Sequence, residues 1–204
     1  MSPPPLLSEG DFKNELPGTM STETVFIAFG SNQGNRQDFC DRAVALMGLL
    51  PHSKVTGVSS YYETEPVDMD DNLNDVWFYN GVVRIETQLQ PAHLFAICQE
   101  TERGLGRDPG QRNAPRTIDL DILFYGQQVI DTPQITIPHP RLHERRFVLA
   151  PLVELDPTWR HPQYQQTVQT LLDQLTDRHL VRKLDIIPGS HYQVKPSCSP
   201  SPSS

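Results

Sequence analysis

The stretch R-N-A-P-R-T-I-D-L-D-I-L, Arg112 to Leu123, constrains the fold most, because it reads as a strand that opposes an apolar face to two carboxylates. Ile118, Leu120, Ile122 and Phe124 alternate with Asp119, Asp121, Leu123 and Tyr125. That period of two sends successive side chains to opposite faces of a sheet. Asp119 and Asp121 therefore share a face, roughly 6.5–7 Å apart. Held so, they repel each other unless a cation lies between or beside them. Arg112 and Arg116, just upstream, are one source, and plain solvation of the face is the bland alternative; a divalent metal is the third. The run P-H-P-R-L-H-E-R-R-F, Pro138 to Phe147, adds the cations that a polyphosphate bound through Mg²⁺ needs. Hard oxygen ligands without a Cys/His cluster favour Mg²⁺ over Zn²⁺.

A chain of 204 residues, 37% hydrophobic and 21% charged, has room for one globular domain flanked by tails. Its net charge of −8 and pI near 5.3 speak against generic binding to nucleic acid or to an anionic membrane. The positive charge is nevertheless uneven. Arg103, Arg107, Arg112, Arg116, Arg141, Arg145 and Arg146 place seven of the 17 Lys and Arg residues in one window, so a local anion site on an acidic protein is expected. Cys40, Cys98 and Cys198 make an odd count without metal spacing, as reduced thiols of a cytoplasmic protein would. The N-terminal residues lack a basic and then apolar leader pattern, and no stretch is apolar for ~18 residues, so no membrane association is expected.

Along the chain, residues 1–21 are polar and rich in proline, and read as a disordered arm. Residues 22–187 read as the folded domain, and 188–204, ending S-C-S-P-S-P-S-S, as a disordered tail. T-V-F-I-A-F from Thr24 is a buried strand, turned by G-S-N-Q-G-N, where Ser31 or Asn32 could reach a ligand. A helix with Phe39, Ala43, Leu46, Met47 and Leu50 on one side follows, then a strand from Lys54 to Tyr62. The acidic stretch Glu63 to Asp75 carries no Lys or Arg; most of its acids read as a solvated loop, though its length is also that of a lid. Trp77 to Leu89 is a strand whose even positions put Phe78 and Asn80 on one face, an aromatic and an amide suited to a flat heterocycle. Pro91 opens a second helix through Leu94, Ile97, Cys98, Thr101 and Leu105. The loop R-D-P-G-Q-R-N-A-P-R then leads into the aspartate strand, and Gln128 to Asp131 forms a short strand or turn. The resulting βαββαβ order is that of an α+β, ferredoxin-like sheet, with additional C-terminal helices over Leu142 to Leu155 and Thr167 to Leu175.

Five blocks carry a resemblance: F-G-S-N-Q-G-N at Phe29, Y-E-T-E-P at Tyr62, F-Y-N at Phe78, R-N-A-P-R-T-I-D-L-D-I-L, and P-H-P-R-L-H-E-R-R-F-V-L-A-P-L. Over Val25 to Pro162 the sequence resembles the hydroxymethyldihydropterin pyrophosphokinases of folate biosynthesis. The resemblance implies transfer of pyrophosphate from ATP to the hydroxymethyl group of 6-hydroxymethyl-7,8-dihydropterin, with AMP released. It implies that Asp119 and Asp121 hold two Mg²⁺ ions and that Arg107 and Arg116 take part in catalysis. It implies Gln99, Glu102, Arg112, Thr136, His139 and Arg145 at the ATP site, and Thr64, Val67, Phe78, Asn80 and Phe147 around the pterin. Pro109 replaces a basic residue frequent in such proteins, Asn113 a tryptophan and Asp68 a glycine, which bears on how the loops close. Small-molecule substrates and a monomer are expected. An RNA-binding sheet is the rival reading, opposed by the acidity and by the lack of an RNP-like aromatic run. A regulatory module with a decayed site is opposed by the presence of both aspartates, Asn80 and His139.

Overall fold

Strand β1 (Glu23–Ser31) runs through the middle of the protein, between β4 (Phe78–Thr87) and β5 (Asp119–Tyr125), and is antiparallel to both. The computed structural model describes residues 21–67, 76–108, 115–186 and 188–189. Beyond β4 lie β2 (Ser53–Val58) and β3 (Tyr62–Thr64), and β3 pairs in turn with β8 (Val181–Lys183). The single strand expected from Lys54 to Tyr62 is thus two, because Ser59 to Tyr61 leave the ladder. A small ribbon of β6 (Ile130–Asp131) and β7 (Thr136–Ile137) follows β5. Helices α1 (Arg36–Met47) and α2 (Pro91–Gly104) connect the strands as the βαββαβ order requires. The C-terminal part adds a 3₁₀ turn (Leu142–Glu144), α3 (Arg146–Leu155) and α4 (Val168–Gln174).

The continuous apolar run of β1 has a simple cause: both faces of the sheet are covered. Val25, Ile27 and Phe29 pack with Cys40, Ala43 and Met47 of α1 and Leu94 and Cys98 of α2. Phe26 enters a second core with Val148, Leu149 and Leu152 of α3 and Val168 of α4. Side chains alternate across a strand, so only apolar residues at both parities satisfy two cores. Room for the rings is made by glycine: a Cβ at Gly81 would lie 2.3 Å from the Phe29 ring.

The alternation expected along β5 breaks once. Phe26 is opposite Phe124 but Ile27 is opposite Ile122, so Leu123 is an extra residue, a β-bulge. Ile118, Leu120 and Ile122 join the α1/α2 core as expected, whereas Phe124 joins the other core and Tyr125 takes its place. The bulge leaves Asp119 and Asp121 on the α3 side of the sheet. The helix starts follow local chemistry. The Asn35 side chain accepts the Asp38 N–H at 3.2 Å, Pro91 occupies the first turn of α2, and Thr167 Oγ1 accepts the Thr170 N–H at 3.1 Å. The N–H of Arg146 at the start of α3 is met from far along the chain by Asp177 Oδ2 at 3.0 Å.

Apart from Ser21, Pro188 and Gly189, the expected arm and tail lie outside the described residues, as do 68–75 of the acidic stretch and 109–114 of the arginine loop. Among the described residues no helix is long and apolar enough to cross a membrane.

His161 closes the second core, its ring edge-on to Phe124 at 5.4 Å and its Nδ1 accepting the N–H groups of Gln163 and Tyr164 at 3.2 and 3.3 Å. Burial and the neighbouring His143 push its pKa down to about 4. An unfolded ring takes a proton near pH 6.5 while the folded one does not, so stability is complete above about pH 6.5 and declines as pH falls toward 4. His161→Asn, which keeps an acceptor for the turn but cannot titrate, should reduce the loss between pH 7 and pH 5 by about 1–2 kcal/mol in urea titrations. An identical loss in both proteins would show that the folded ring titrates normally.

Candidate active site

Where β1, β4 and β5 run out beyond the cover of α3, the sheet opens into a cavity of about 260 Å³. Its floor is made by two small residues of β1. Gly30 stands opposite Asn80 on one side and Asp119 on the other, and Ala28 stands opposite Asp121. A Cβ at Gly30 would come within 2.4 Å of Asn80 Oδ1, so the strand must be bare there for the amide to hold its position. Asp119 and Asp121 line one end of this trough with Arg107, Arg116 and His139, and Phe78, Asn80, Thr64 and Val67 line the other, with Arg145 and Phe147 on the α3 side.

The charged end is cross-braced. Asp119 receives Arg107 Nη1 on Oδ1 at 2.6 Å and Arg116 Nη1 on Oδ2 at 2.8 Å. Arg107 also pairs with Glu102, whose Oε1 accepts the Leu120 N–H at 2.7 Å and so ties α2 to β5. Arg116 is fixed through its backbone. Its N–H donates to Asn32 Oδ1 at 2.7 Å, and its carbonyl accepts the Asn32 N–H at 3.2 Å. Ion pairing of Asp119 to an upstream arginine, one of the readings open from the sequence, is therefore present, with the cavity in front of it. Asp121 differs, because among the described residues no hydrogen bond or ion pair engages its carboxylate. Burial first, and then the charge of Asp119, push Asp121 up to about 6 against the pull of Arg145, Arg107 and Arg116. Burial likewise pushes Glu102 up to about 7 despite the Leu120 N–H and Arg107. His139 moves the other way. Burial, Arg145 and Arg141 lower it to about 4, so the ring is neutral at pH 7. Because its Nδ1 accepts the Arg141 N–H at 3.3 Å, a neutral ring carries its proton on Nε2, a donor suited to a phosphate oxygen.

At the other end, Asn80 is 8% exposed and donates from Nδ2 to Thr64 Oγ1 at 2.7 Å. That bond fixes which way the amide faces and leaves Oδ1 as an acceptor without a donor among the described residues. Phe78 and Phe147 present rings to the same cavity, with the Arg116 and Arg145 guanidinium carbons 5.8 and 5.4 Å from their centroids.

Of the residues expected at a site, Arg107, Arg116, Asp119, Asp121, His139, Arg145, Thr64, Val67, Phe78, Asn80 and Phe147 meet around this one cavity. Glu102 stands behind it, braced to Arg107. Gln99 is exposed on α2 and Thr136 on β7, where its hydroxyl donates to Asp131 at 3.3 Å, and neither lines the cavity. Arg112, Pro109, Asn113 and Asp68 lie outside the described residues. The cavity also takes in Arg141, one of the arginines expected around an anion site, and Ala28 and Gly30, which the sequence reading did not single out as site residues. Ala28 and Gly30 had a signal, as the only small residues between Thr24 and Gly30 in a strand otherwise of large apolar side chains.

Residues 26–157 match the family model described as 7,8-dihydro-6-hydroxymethylpterin-pyrophosphokinase (HPPK). The 2-amino-4-hydroxy-6-hydroxymethyldihydropteridine pyrophosphokinase of Bacillus subtilis is 46% identical over 131 residues, covering 64% of this chain and 77% of that protein. The mitochondrial folate synthesis bifunctional protein of Arabidopsis thaliana is 44% identical over 74% of this chain, which spans only 28% of that protein's length. A crystal structure of Plasmodium falciparum HPPK-DHPS with pteroate superposes with a TM-score of 0.57 over 75% of this chain and 42% of that one, and at 16% identity the likeness is one of fold. The resemblance drawn from the five sequence blocks, and the ferredoxin-like sheet expected from the order of strands and helices, are borne out. Since the cavity's expected residues, from Thr64 to Phe147, all fall inside the matched span, the chain belongs to the family of 7,8-dihydro-6-hydroxymethylpterin-pyrophosphokinases.

Proposed function

We propose that this protein transfers the terminal diphosphate of ATP to the hydroxymethyl oxygen of 6-hydroxymethyl-7,8-dihydropterin and releases AMP. Family membership supports the reaction, and one observation supports its location: a single cavity joins a carboxylate pair among arginines to an aromatic and amide end. The pterin hydroxyl oxygen forms a bond to the β-phosphorus, the bond from that phosphorus to the α,β-bridging oxygen breaks, and the hydroxyl proton passes to solvent. No protein base is required, since positioning and charge stabilisation supply most of the acceleration in phosphoryl transfer.

Asp119 and Asp121 fit a hard divalent cation. They share one face, both line the cavity, and among the described residues the Asp121 carboxylate has no hydrogen-bond or ion-pair partner. Among the described residues no group of three His, Cys, Asp or Glu gathers as ligands, so phosphate oxygens and water would complete the coordination, the usual arrangement for Mg²⁺. Bound Mg²⁺, two ions in our reading, would quench polyphosphate charge and lower the pKa of the attacking hydroxyl. In the free protein Arg107 and Arg116 neutralise Asp119; with a cation in place both guanidinium groups are released to phosphate oxygens. Arg145 and the Nε2–H of His139 face the same end of the cavity. Phe78 and Phe147 stack on the pterin, and Asn80 Oδ1 accepts from its amino edge. Arg112, Gln99 and Thr136 are assigned to ATP through the family resemblance.

The test is direct: supply ATP, Mg²⁺ and the reduced hydroxymethylpterin, and resolve AMP and pterin diphosphate chromatographically. Absence of both products would refute the reading. Asp121→Asn should reduce turnover by about 10³-fold or more, yet leave the metal-free protein as stable as the parent or about 1 kcal/mol more stable, because it removes a half-buried negative charge that Asp119 repels. Near-normal AMP release, or a markedly lowered melting temperature, would contradict that role. Asn80→Ala should weaken pterin binding about 10- to 100-fold by calorimetry with a non-hydrolysable ATP analogue present. A loss confined to the analogue's own affinity would move Asn80 to the wrong substrate.

A further inference from the structure

We infer that Glu154, which does not line the cavity, is a positioning residue for the pterin end of the site; the inference rests on the reading just given. Glu154 lies seven residues after Phe147 on α3. Seven residues are nearly two full turns, so the two side chains share a face of the helix with their Cα atoms about 10.5 Å apart. One end of that face carries the ring that stacks on the pterin, and the other carries a carboxylate gripped by the β2–β3 connection, β3 and β8. Glu154 Oε1 accepts the Ser60 N–H at 3.1 Å and the Ser60 hydroxyl at 2.9 Å, and meets Lys183 Nζ of β8 at 3.3 Å. Glu154 Oε2 accepts the Tyr62 hydroxyl at 2.8 Å. These donors hold the carboxyl below the usual carboxylate range, against burial, which alone would raise it.

The far side of this grip is the amide that reads the pterin. Tyr62 stands directly opposite Asn80 in the β3/β4 ladder, and Thr64, two residues on, accepts the Asn80 amide. Tyr62, 7% exposed, thus bridges from Asn80's neighbour up to α3. Glu154 therefore sets both the rotation of α3 that presents Phe147 and its separation from Thr64 and Asn80. On β5, Asp119 is held by Arg107 and Arg116 and the Leu120 N–H by Glu102, none of which touches Glu154. A carboxylate serving only general stability would affect both substrates alike, so the separation of the two Michaelis constants is the diagnostic.

Steady-state kinetics with each substrate varied should show, for Glu154→Ala, about a tenfold rise in KM for the reduced pterin with the KM for ATP unchanged. Glu154→Gln, whose oxygen can still take Ser60 while its amide meets the Tyr62 hydroxyl, should recover to within about threefold of the parent. Tyr62→Phe removes a single bond of the four and should raise the pterin KM about two- to threefold, again without effect on ATP; it decides the matter should Glu154→Ala fail to fold. An unchanged pterin KM in Tyr62→Phe and Glu154→Ala, or an equal rise for both substrates, would overturn the inference. A parent protein that makes no pterin diphosphate would instead overturn the reaction itself.

Discussion

Two carboxylates on one face of β5 create an electrostatic demand that the surrounding structure is arranged to meet. Asp119 is answered within the protein, by Arg107 from the end of α2 and by Arg116 from the approach to the strand. Among the described residues Asp121 has no such partner, and its raised pKa reflects burial beside a second acid. On the proposed reaction a divalent cation would meet that demand, and the guanidinium groups now occupied with Asp119 would then be available to phosphate oxygens. The brace behind them serves the same end, because Glu102 joins Arg107 to the backbone of Leu120 and Asn32 joins the backbone of Arg116 to the end of β1.

The other requirement is empty space next to a sheet that is otherwise covered on both faces. Helices α1 and α2 bury one side, and α3 and α4 most of the other, so the cavity exists only where the second layer stops short. Ala28 and Gly30 then keep β1 from filling it, and Gly30 keeps clear of the Asn80 amide. α3 bounds this space and also supplies Phe147 to it, while seven residues further on its Glu154 is bonded to Ser60 and Tyr62.

Much of this was legible in the chain. The D-x-D spacing placed both acids on one face, and F-Y-N placed Phe78 beside Asn80, because a period of two is enforced by strand geometry whatever the partners are. The β-bulge at Leu123 was not legible. Nothing in I-L-F-Y says which residue is unpaired, since the register is set by β1 across the ladder, and so Phe124 and Tyr125 exchange the faces that simple alternation assigns them. Nor did the strand from Lys54 to Tyr62 announce its interruption at Ser59 and Ser60, where the Ser59 hydroxyl accepts the Val82 N–H of β4 and the Ser60 N–H turns to Glu154.

The sequence by itself determined the order of strands and helices, the shared face of Asp119 and Asp121, and the membership of the family, because periodicity and motif spacing are local properties that survive without contacts. Only the tertiary structure decided which arginines hold Asp119, that Asp121 has no such partner among the described residues, and that Glu154 reaches Ser60 and Tyr62, more than 90 positions earlier in the chain. Those outcomes depend on where distant segments meet and how far burial removes water from their charges, and no stretch of neighbouring residues encodes either.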